Sequence, residues 1–324
     1  MSSAHEAGRD PCRRTPRAIT VAAVQARLRF YTSEDDFCAA VSEALAQALA
    51  HAPDLVVFPE DFGSGLVALN APLASRARSL PAAIATVALY DPWAALRGLL
   101  SRSLSLPRAL LLAAAERVRR VYVDTFSDLA RRHGLHIAAG SLLLPHEGAD
   151  DNAVYNTFSL FGPDGAIVGS VDKVNLIPLE AEKGLDLTPG RREDVRVWRT
   201  PVGVFGPLIC YDAWDVGLAR SLLAQGAQLL LVPSANPGPW TAEEQAERRN
   251  GMYARVRELG IPGVEAFGVG SFLGLPFEGQ SWICAPDAAE PDGVRIIARA
   301  CSADEPEIVC ARVELPEVPR VAQM

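Results

Sequence analysis

The stretch from Val202 to Asp215 constrains the fold more than any other, because it joins a buried strand to a helix through a cysteine. Its residues, VGVFGPLICYDAWD, change at Cys210 from a β-rich apolar run to a polar, helix-starting segment. Asp212 or Asp215 can cap the following helix, which we predict to end at Gly226. A cysteine at such a turn is presented at the end of the sheet, near the positive end of a helix dipole that favours the thiolate. This placement suits a nucleophile, although a lone cysteine is more often a buried structural residue.

Composition and charge exclude several kinds of partner. The chain has 324 residues, 49% of them hydrophobic, and a formal net charge of −8. The acidic balance argues against nucleic acid as a partner, and no apolar run reaches the roughly 18 residues of a membrane span. We interpret residues 1–17 as a disordered tail and not as a secretion signal, so the cytoplasm is the expected location. The six cysteines lack the paired spacing of a disulfide framework or a zinc site, and no metal or other cofactor is predicted.

Strands and helices alternate in the first half of the chain, and strands follow one another directly in the second half. Apolar runs predict strands over residues 18–26, 55–58, 135–139, 153–161, 167–174, 195–198, 202–210, 228–232, 263–267, 281–284, 294–298 and 307–313. Helices are predicted over residues 37–50, 118–132 and 241–259, besides the helix that ends at Gly226. The charged run 243–249 is interpreted as the solvated face of its helix. The pattern indicates packed sheets with helices outside them, forming a single domain over residues 18–324.

Three short stretches at predicted strand ends each carry one reactive residue. They are Phe58–Phe62 with Glu60, Asp172–Pro178 with Lys173, and Leu208–Asp212 with Cys210. A Glu, a Lys and a Cys in this chain order resemble the nitrilase, or carbon–nitrogen hydrolase, superfamily. Further matching pieces are Gly226-Ala227, Ala254-Arg255 and Phe277–Ser281. The resemblance covers residues 19 to about 286, and it implies an α/β fold of the nitrilase type, a four-layer αββα sandwich.

The resemblance also implies a role for each reactive residue. Cys210 would attack an amide or nitrile carbon and form a thioester or thioimidate. Glu60 would take the thiol proton, return a proton to the departing amine and later activate water. Lys173 would stabilise the oxyanion, together with the backbone N–H of Tyr211. The chain is therefore expected to be an enzyme that needs no cofactor.

Several positions qualify the resemblance. The superfamily often has a second glutamate between the lysine and the cysteine, for which Glu180 is the closer candidate and Glu182 the alternative. Asp172 stands where an arginine commonly precedes the lysine, and Tyr211-Asp212 is not followed by the frequent arginine. That missing arginine weakens a transfer of specificity from amidases of ω-amidic acids. Cys-Tyr-Asp differs from the Cys-Trp-Glu of true nitrilases and favours amide-type substrates.

The stretch 66–116 is the largest departure from a compact member of the superfamily, and we call it the cover segment. It contains apolar helical pieces at 81–90, 93–100 and 108–115. Its apolar content argues against disorder, and loops of this length are usually functional when they are not disordered. Because it follows Glu60 directly, we expect it to form a lid or wall over the pocket. A subunit interface is the alternative role for its apolar faces.

The predicted function is cysteine-dependent hydrolysis of a non-peptide carbon–nitrogen bond, of amide or carbamoyl type, in a small molecule. An acyl transferase or nitrilase on the same fold is the first alternative, and a non-catalytic binding or assembly module is the second. Members of the superfamily typically pair through helices next to the nucleophile. We therefore expect a homodimer or larger even homo-oligomer, formed through residues 216–223 and 241–259.

Overall fold

The computed structural model describes residues 17–100, 104–148 and 152–317, which form thirteen strands and seven α-helices. The strands are β1 (Arg17–Arg27), β2 (Leu55–Val57), β3 (His136–Leu144), β4 (Tyr155–Phe161), β5 (Ile167–Asp172), β6 (Trp198–Arg199), β7 (Val204–Pro207), β8 (Leu229–Ala235), β9 (Gly263–Phe272), β10 (Leu275–Phe277), β11 (Trp282–Pro286), β12 (Val294–Arg299) and β13 (Glu307–Leu315). The helices are α1 (Glu34–Leu49), α2 (Leu80–Tyr90), α3 (Pro92–Leu100), α4 (Leu106–His133), α5 (Val216–Ala224), α6 (Ala242–Arg248) and α7 (Ala254–Leu259).

The strands form two sheets that meet at one place. One sheet has the order β5-β4-β3-β2-β1-β13, and the other has the order β6-β7-β8-β9-β11-β12. Strand β1 runs parallel to β2 in the first sheet, and its last residues pair with β9 of the second, Ala26 opposite Gly268 and Arg27 opposite Val269. The parallel strands β2, β3, β7 and β8 direct their carboxyl ends toward loops that carry the polar residues described below.

Alternation along β1 shows how the layers are stacked. Ile19, Val21 and Ala23 pack in the apolar core that contains side chains of both sheets and of α5 and α7. Ala22 and Val24 point to the opposite face and pack against α1 and α4. Because successive side chains of a strand face opposite sides, β1 is buried on both faces. The layers are therefore α1 and α4, the first sheet, the second sheet, and α5 with α7, which confirms the predicted αββα sandwich.

Capping residues explain where three helices begin. Ser33 accepts a hydrogen bond from the backbone of Asp36, so α1 begins at Glu34, three residues before the predicted start. Ser105 caps α4 in the same way, and α4 therefore includes the last predicted helical piece of the cover segment. Asp215 accepts from the first turn of α5, which decides between the two caps considered from the sequence.

The predicted single helix over residues 241–259 is wrong, because it is broken between α6 and α7. The break is a π-helical turn, Arg249–Tyr253, in which the backbone of Gly251 is not helical. A β-carbon on Gly251 would lie 2.7 Å from the ring of Trp214, so the chain approaches the cysteine turn closely here. Strand β7 is also shorter than predicted, since Leu208 and Ile209 leave the sheet before Cys210.

The ends of the chain and the cover segment complete the description. Residues 1–16, which hold nearly all of the predicted tail, lie outside the described residues, and Arg17 already belongs to β1. The described part of the cover segment contains α2, α3, the start of α4 and two short 3₁₀ turns. No helix in the described ranges combines the length and apolar character needed to cross a lipid bilayer.

Candidate active site

Loops at the ends of β2 and β5 bring Glu60 and Lys173 together beside a third charged residue. The Lys173 ammonium donates to Glu60 Oε1 at 2.7 Å and to Glu180 Oε2 at 2.6 Å. All three side chains are at least 95% buried. Glu180 belongs to a tight turn in which its backbone N–H donates to the carbonyl of Ile177, whereas Glu182 is exposed. The structure thus places Glu180, and not Glu182, in contact with the lysine.

Neutral donors fix the two carboxylates in place. Asn156 Nδ2 donates to Glu60 Oε1 at 3.0 Å and to Glu180 Oε1 at 2.7 Å. The backbone N–H of Ala235, at the end of β8, donates to Glu60 Oε2 at 2.9 Å. Sequence reasoning missed Asn156, and its only local signal is a polar residue whose same-face neighbours, Val154 and Phe158, are apolar. We call Glu60, Asn156, Lys173, Glu180 and Cys210 the polar cluster.

Electrostatics within the polar cluster raise the pKa of the base and keep the lysine charged. Burial raises the pKa of Glu60, and the nearby Lys173 ammonium only partly offsets this effect. For Lys173, burial acts to lower the pKa, but the carboxylates of Glu60 and Glu180 outweigh it and hold the pKa well above its usual range. An ammonium has three donors, and the described residues use two of them for the carboxylates. The third N–H of the Lys173 ammonium is available to a ligand.

Cys210 joins this cluster from the second sheet. Its sulfur lies 3.9 Å from the carbonyl oxygen of Ala235, and the thiol also contacts the Glu60 carboxylate. Its φ of 44° lies in the left-handed region, which non-glycine residues adopt rarely and often at functional turns. Tyr211 follows it in the turn, with its side chain 46% exposed and its ring against that of Trp214.

The expected thiolate at Cys210 is wrong for the free protein. Burial and the neighbouring carboxylate of Glu60 raise the pKa of this thiol to about 11. The turn Cys210–Trp214 is a 3₁₀ helix of five residues, and α5 begins only at Val216. Because a helix dipole acts mainly within its first turn, α5 has little influence on the sulfur. The thiol is therefore protonated until a base removes its proton.

A buried aspartate ties the lysine loop to the cysteine turn. Asp212 accepts hydrogen bonds from the backbone N–H groups of Val174 and Asn175 and from the Asn175 side chain. Burial raises the pKa of Asp212 to about 6, against the effect of these hydrogen bonds. Lys173 and Cys210 are consequently held at a fixed separation by a contact between their immediate neighbours.

Arg248 contacts the nucleophile and was not predicted from the sequence. Its Nη1 lies 3.5 Å from the Cys210 sulfur, Nη2 donates to Asn236 at 2.6 Å, and Nε donates to Glu244 at 2.8 Å. The side chain is 9% exposed, so the interpretation of run 243–249 as a solvated face fails at this residue. Its neighbour Arg249 is 52% exposed and fits that interpretation. Helical spacing to the buried Met252 and Arg255 is the one local signal that marks Arg248 as buried.

A cavity of about 60 Å³ adjoins the polar cluster. Glu60, Lys173 and Glu180 form its polar end, and Ala235 lies between this end and the sulfur. Val67 and Leu111 of the cover segment are part of its wall, as the sequence led us to expect. Within the described residues, no group of His, Cys, Asp and Glu side chains has the arrangement of a metal site.

Comparisons with known proteins identify the family and agree with the fold. A family profile described as carbon–nitrogen hydrolase matches residues 20–323. The chain is 31% identical to an omega-amidase of Danio rerio over 127 residues, which are 37% of this chain and 44% of the relative. It is 31% identical to a deaminated glutathione amidase of Yersinia enterocolitica over 116 residues, 33% of this chain and 39% of the relative. The matched part of the chain thus spans half or less of the length of the curated relatives.

Two solved structures share the architecture. A carbon–nitrogen hydrolase from Helicobacter pylori G27 superposes with a TM-score of 0.64 at 21% identity, over 92% of this chain and 89% of that chain. An amidase from Nesterenkonia sp. gives a TM-score of 0.62 at 22% identity, over 93% and 92% of the two chains. At these identities the similarity concerns the fold.

Proposed function

The chain belongs to the carbon–nitrogen hydrolase family, and from this premise we propose that it hydrolyses small-molecule amides through a thioester on Cys210. The observation that carries the proposal is the Lys173 ammonium held between two buried carboxylates, beside a buried cysteine. Such a group of charges is costly to bury, and functional sites are where it is most often found.

Acylation uses Glu60 as the base. As the sulfur attacks the amide carbon, the thiol proton passes to Glu60, whose raised pKa makes it a stronger base than an ordinary carboxylate. The carbonyl oxygen becomes an oxyanion that accepts from the free N–H of Lys173 and from the backbone N–H of Tyr211. The carbon–nitrogen bond then breaks, Glu60 gives its proton to the departing nitrogen, and an amine or ammonia leaves a thioester on Cys210.

Deacylation repeats these steps with water. Glu60 takes a proton from a water molecule as the water oxygen attacks the thioester carbon. Lys173 and the backbone N–H of Tyr211 stabilise the second oxyanion as they did the first. The carbon–sulfur bond breaks, the carboxylic acid leaves, and the proton returns to the sulfur. Glu180 and Asn156 do not touch the reacting atoms in this scheme. They position Lys173 and Glu60 through the hydrogen bonds described above.

Arg248 supports the transfer of the thiol proton. Its positive charge lies beside the sulfur and lowers the pKa of Cys210, against the larger effect of burial. A thiolate formed during the reaction is therefore paired with a guanidinium that other contacts already fix. We assign Arg248 as the residue that makes the buried sulfur reactive.

The proposal is tested by release of ammonia from a panel of amides, carbamoyl compounds and nitriles, together with mass spectrometry of the quenched enzyme. We expect amide hydrolysis and an added acyl mass on the peptide that contains Cys210. The exposed Cys301 provides an internal control, because it should carry no acyl group. Nitrile turnover or transfer of the acyl group to an added amine would favour the alternatives. Normal turnover by Cys210→Ala would refute the mechanism.

Two further features belong to the proposal. We expect a homodimer or larger even homo-oligomer through α5 and the α6–α7 region, next to the nucleophile turn. Leu223 on α5 and Tyr211 are partly exposed apolar residues of that surface. We also expect a cytoplasmic location and activity that a chelator leaves unchanged.

A further inference from the structure

We infer that the substrate's acyl group is an apolar, uncharged chain of about six to eight carbons that extends from Cys210 beneath α2. This inference rests on the proposed function and specifies its substrate class. Three observations support it. Two cavities adjoin each other, their described walls contain no cation free to pair with a substrate carboxylate, and their volumes limit the length of the chain.

The first cavity changes from polar to apolar along its length. Its polar end is formed by Glu60, Lys173 and Glu180, where the amide would lie. Apart from Asp61 and Ser64, the remaining wall is apolar, and it includes Leu143, Leu179, Phe272, Leu273 and Phe277. An acyl chain attached to the reacting carbon therefore has an apolar surface to contact on leaving the polar cluster.

A second cavity lies next to the first one beneath the cover segment. It measures about 50 Å³, and only apolar residues line it, among them Ala83, Ile84 and Val87 of α2 and Leu110 of α4. Five residues line both cavities: Phe30, Val67, Leu111, Leu185 and Leu273. The two spaces are thus separated by no more than one layer of side chains.

The volumes set the length of the chain. A water-sized group needs roughly 10–15 Å³ of such space, so each cavity admits on the order of four groups. An unbranched acyl chain of about six to eight carbons would occupy both cavities when rotation of the shared side chains joins them, whereas a chain of about four would remain in the first. Burial of each methylene should improve the specificity constant about fourfold until the space is full.

The charges of the first cavity disfavour a carboxylate on the acyl group. Asp61, Glu60 and Glu180 all line it, so this wall holds three carboxyl groups; the pKa of Asp61 is raised to about 7 by burial and by the two glutamates, and a further carboxylate here would meet the same burial and repulsion. Lys173 is the one cation among the described lining residues, and two carboxylates already pair with it. Arg248 lies at the sulfur and is not part of either wall; Glu244 and Asn236 hold it there. A carboxylate-bearing acyl chain would have no free cation to meet.

The first experiment measures kcat/KM for acetamide, butyramide, hexanamide and octanamide, with succinamate as the charged analogue of butyramide. We expect kcat/KM to rise about fourfold per methylene up to hexanamide or octanamide, and succinamate to be at least about tenfold poorer than butyramide. A flat or falling series, or a preference for succinamate, would overturn the inference and leave amide hydrolysis itself intact.

A matched pair of variants on α2 tests the second cavity. Ala83→Val adds two methyl groups inside the cavity, and Ala85→Val adds the same groups on the exposed face of the helix. We expect Ala83→Val to lower kcat/KM for octanamide about fivefold or more and to leave butyramide unchanged. Ala85→Val should change neither value. Equal effects of the two variants, or an equal loss for both substrates, would contradict a chain bound beneath α2.

A binding measurement separates the inference from the proposed function. Cys210→Ala protein is titrated calorimetrically with the same neutral amides, which it cannot cleave through a thioester. We expect affinity to rise with chain length as kcat/KM does. If the wild type hydrolysed no amide but this series still held, the proposed reaction would fail and the apolar site would stand. Affinity independent of chain length would refute the site whatever the wild type does.

Discussion

The polar cluster and the cover segment above it are held together by opposite kinds of interaction. In the cluster, Glu60 and Glu180 are fixed by Lys173, Asn156 and backbone N–H groups, with almost no exposure to water. In the cover segment the packing is mainly apolar, with the ion pair of Arg108 and Asp186 as a polar exception. Directional contacts fix atoms to a fraction of an ångström, whereas apolar contacts fix only volume. In our proposal, the cluster determines the reaction and the cover segment determines which chain fits.

The cover segment also inverts the usual distribution of large and small residues. The buried positions of α2 and α3 are held by small residues such as Ala83, Ala94 and Gly98, and a β-carbon on Gly98 would lie 3.1 Å from that of Ala109. These residues let α3 approach α4 closely. By contrast, Leu89, Trp93, Leu99 and Leu100 are 73–78% exposed. Little of the large apolar surface of α2 and α3 therefore stabilises the fold.

The largest expected effect separates the two regions by chemistry. Cys210→Ala should reduce kcat about 10⁴-fold or more, because the covalent route is lost. Glu60→Gln should reduce kcat at least about a hundredfold, because the amide cannot take the thiol proton. Leu99→Ala in the cover segment is the control and should leave kcat unchanged. Steady-state ammonia release measures all three, and a comparable loss for Leu99→Ala would mean that the cover takes part in the chemistry.

The second effect concerns the stability of the cluster. Lys173→Met leaves two buried carboxylates without their cation, which should lower the free energy of unfolding by about 3–5 kcal/mol. Lys183→Met, an exposed lysine of the same loop, should change it by less than about 0.5 kcal/mol. Adding Glu180→Gln to Lys173→Met should restore part of the loss, because one charge is removed with its partner. Urea unfolding gives these values.

The pH dependence of this variant follows from the same charges. Without Lys173, the carboxyl pKa values in the folded state rise above those of the unfolded chain, so the folded state binds protons more tightly. The loss of stability should therefore be smaller near pH 5 than near pH 8. A loss that is independent of pH would indicate that packing, and not unpaired charge, is responsible.

The sequence predicts different features of the polar cluster and of the cover segment, and the reason is physical. Glu60, Lys173 and Cys210 were predicted because each stands at a strand end in an order that matches a superfamily. Asn156 and Arg248 were not, because their roles depend on where distant segments meet. The helical pieces of the cover segment follow from apolar runs and proline positions, but its interior packing depends on volumes that local pattern does not determine.

The wrong expectation of a thiolate has a similar origin. A strand-to-helix turn predicts where Cys210 is presented, but not how much water reaches it. Burial raises the thiol pKa, and the charges of Glu60, Arg248 and Lys173 modify it in different directions. None of these distances can be read from residue spacing. Local geometry is therefore predictable here, while the balance of charges is a property of the folded chain.

A third, smaller effect tests Arg248 against its neighbour. Removing its charge should raise the pKa of Cys210 further above its usual range, because a group that lowers it is lost. Alkylation by iodoacetamide at fixed pH should then slow about tenfold in Arg248→Met, which corresponds to about one pKa unit. Arg249→Met, at an exposed arginine, should leave the rate unchanged. Rates for the Cys210 peptide are obtained by mass spectrometry over a range of pH, and equal rates in the two variants would remove Arg248 from the mechanism.

The smallest expected effect concerns the exposed face of the cover segment. Trp93 is 75% exposed, so Trp93→Ser should change the free energy of unfolding by less than about 0.5 kcal/mol if that face is free. If the protein pairs through α5 as proposed, Trp93→Ser should also leave its size in sedimentation unchanged, whereas Leu223→Asp should dissociate it, because a charge would be buried without a partner. If Trp93→Ser dissociated the protein and Leu223→Asp did not, the exposed face of the cover segment would be the subunit interface. The cover segment would then select substrates only through its inner wall while joining subunits through its outer one, since α2 has Ala83 on the first face and Leu89 on the second.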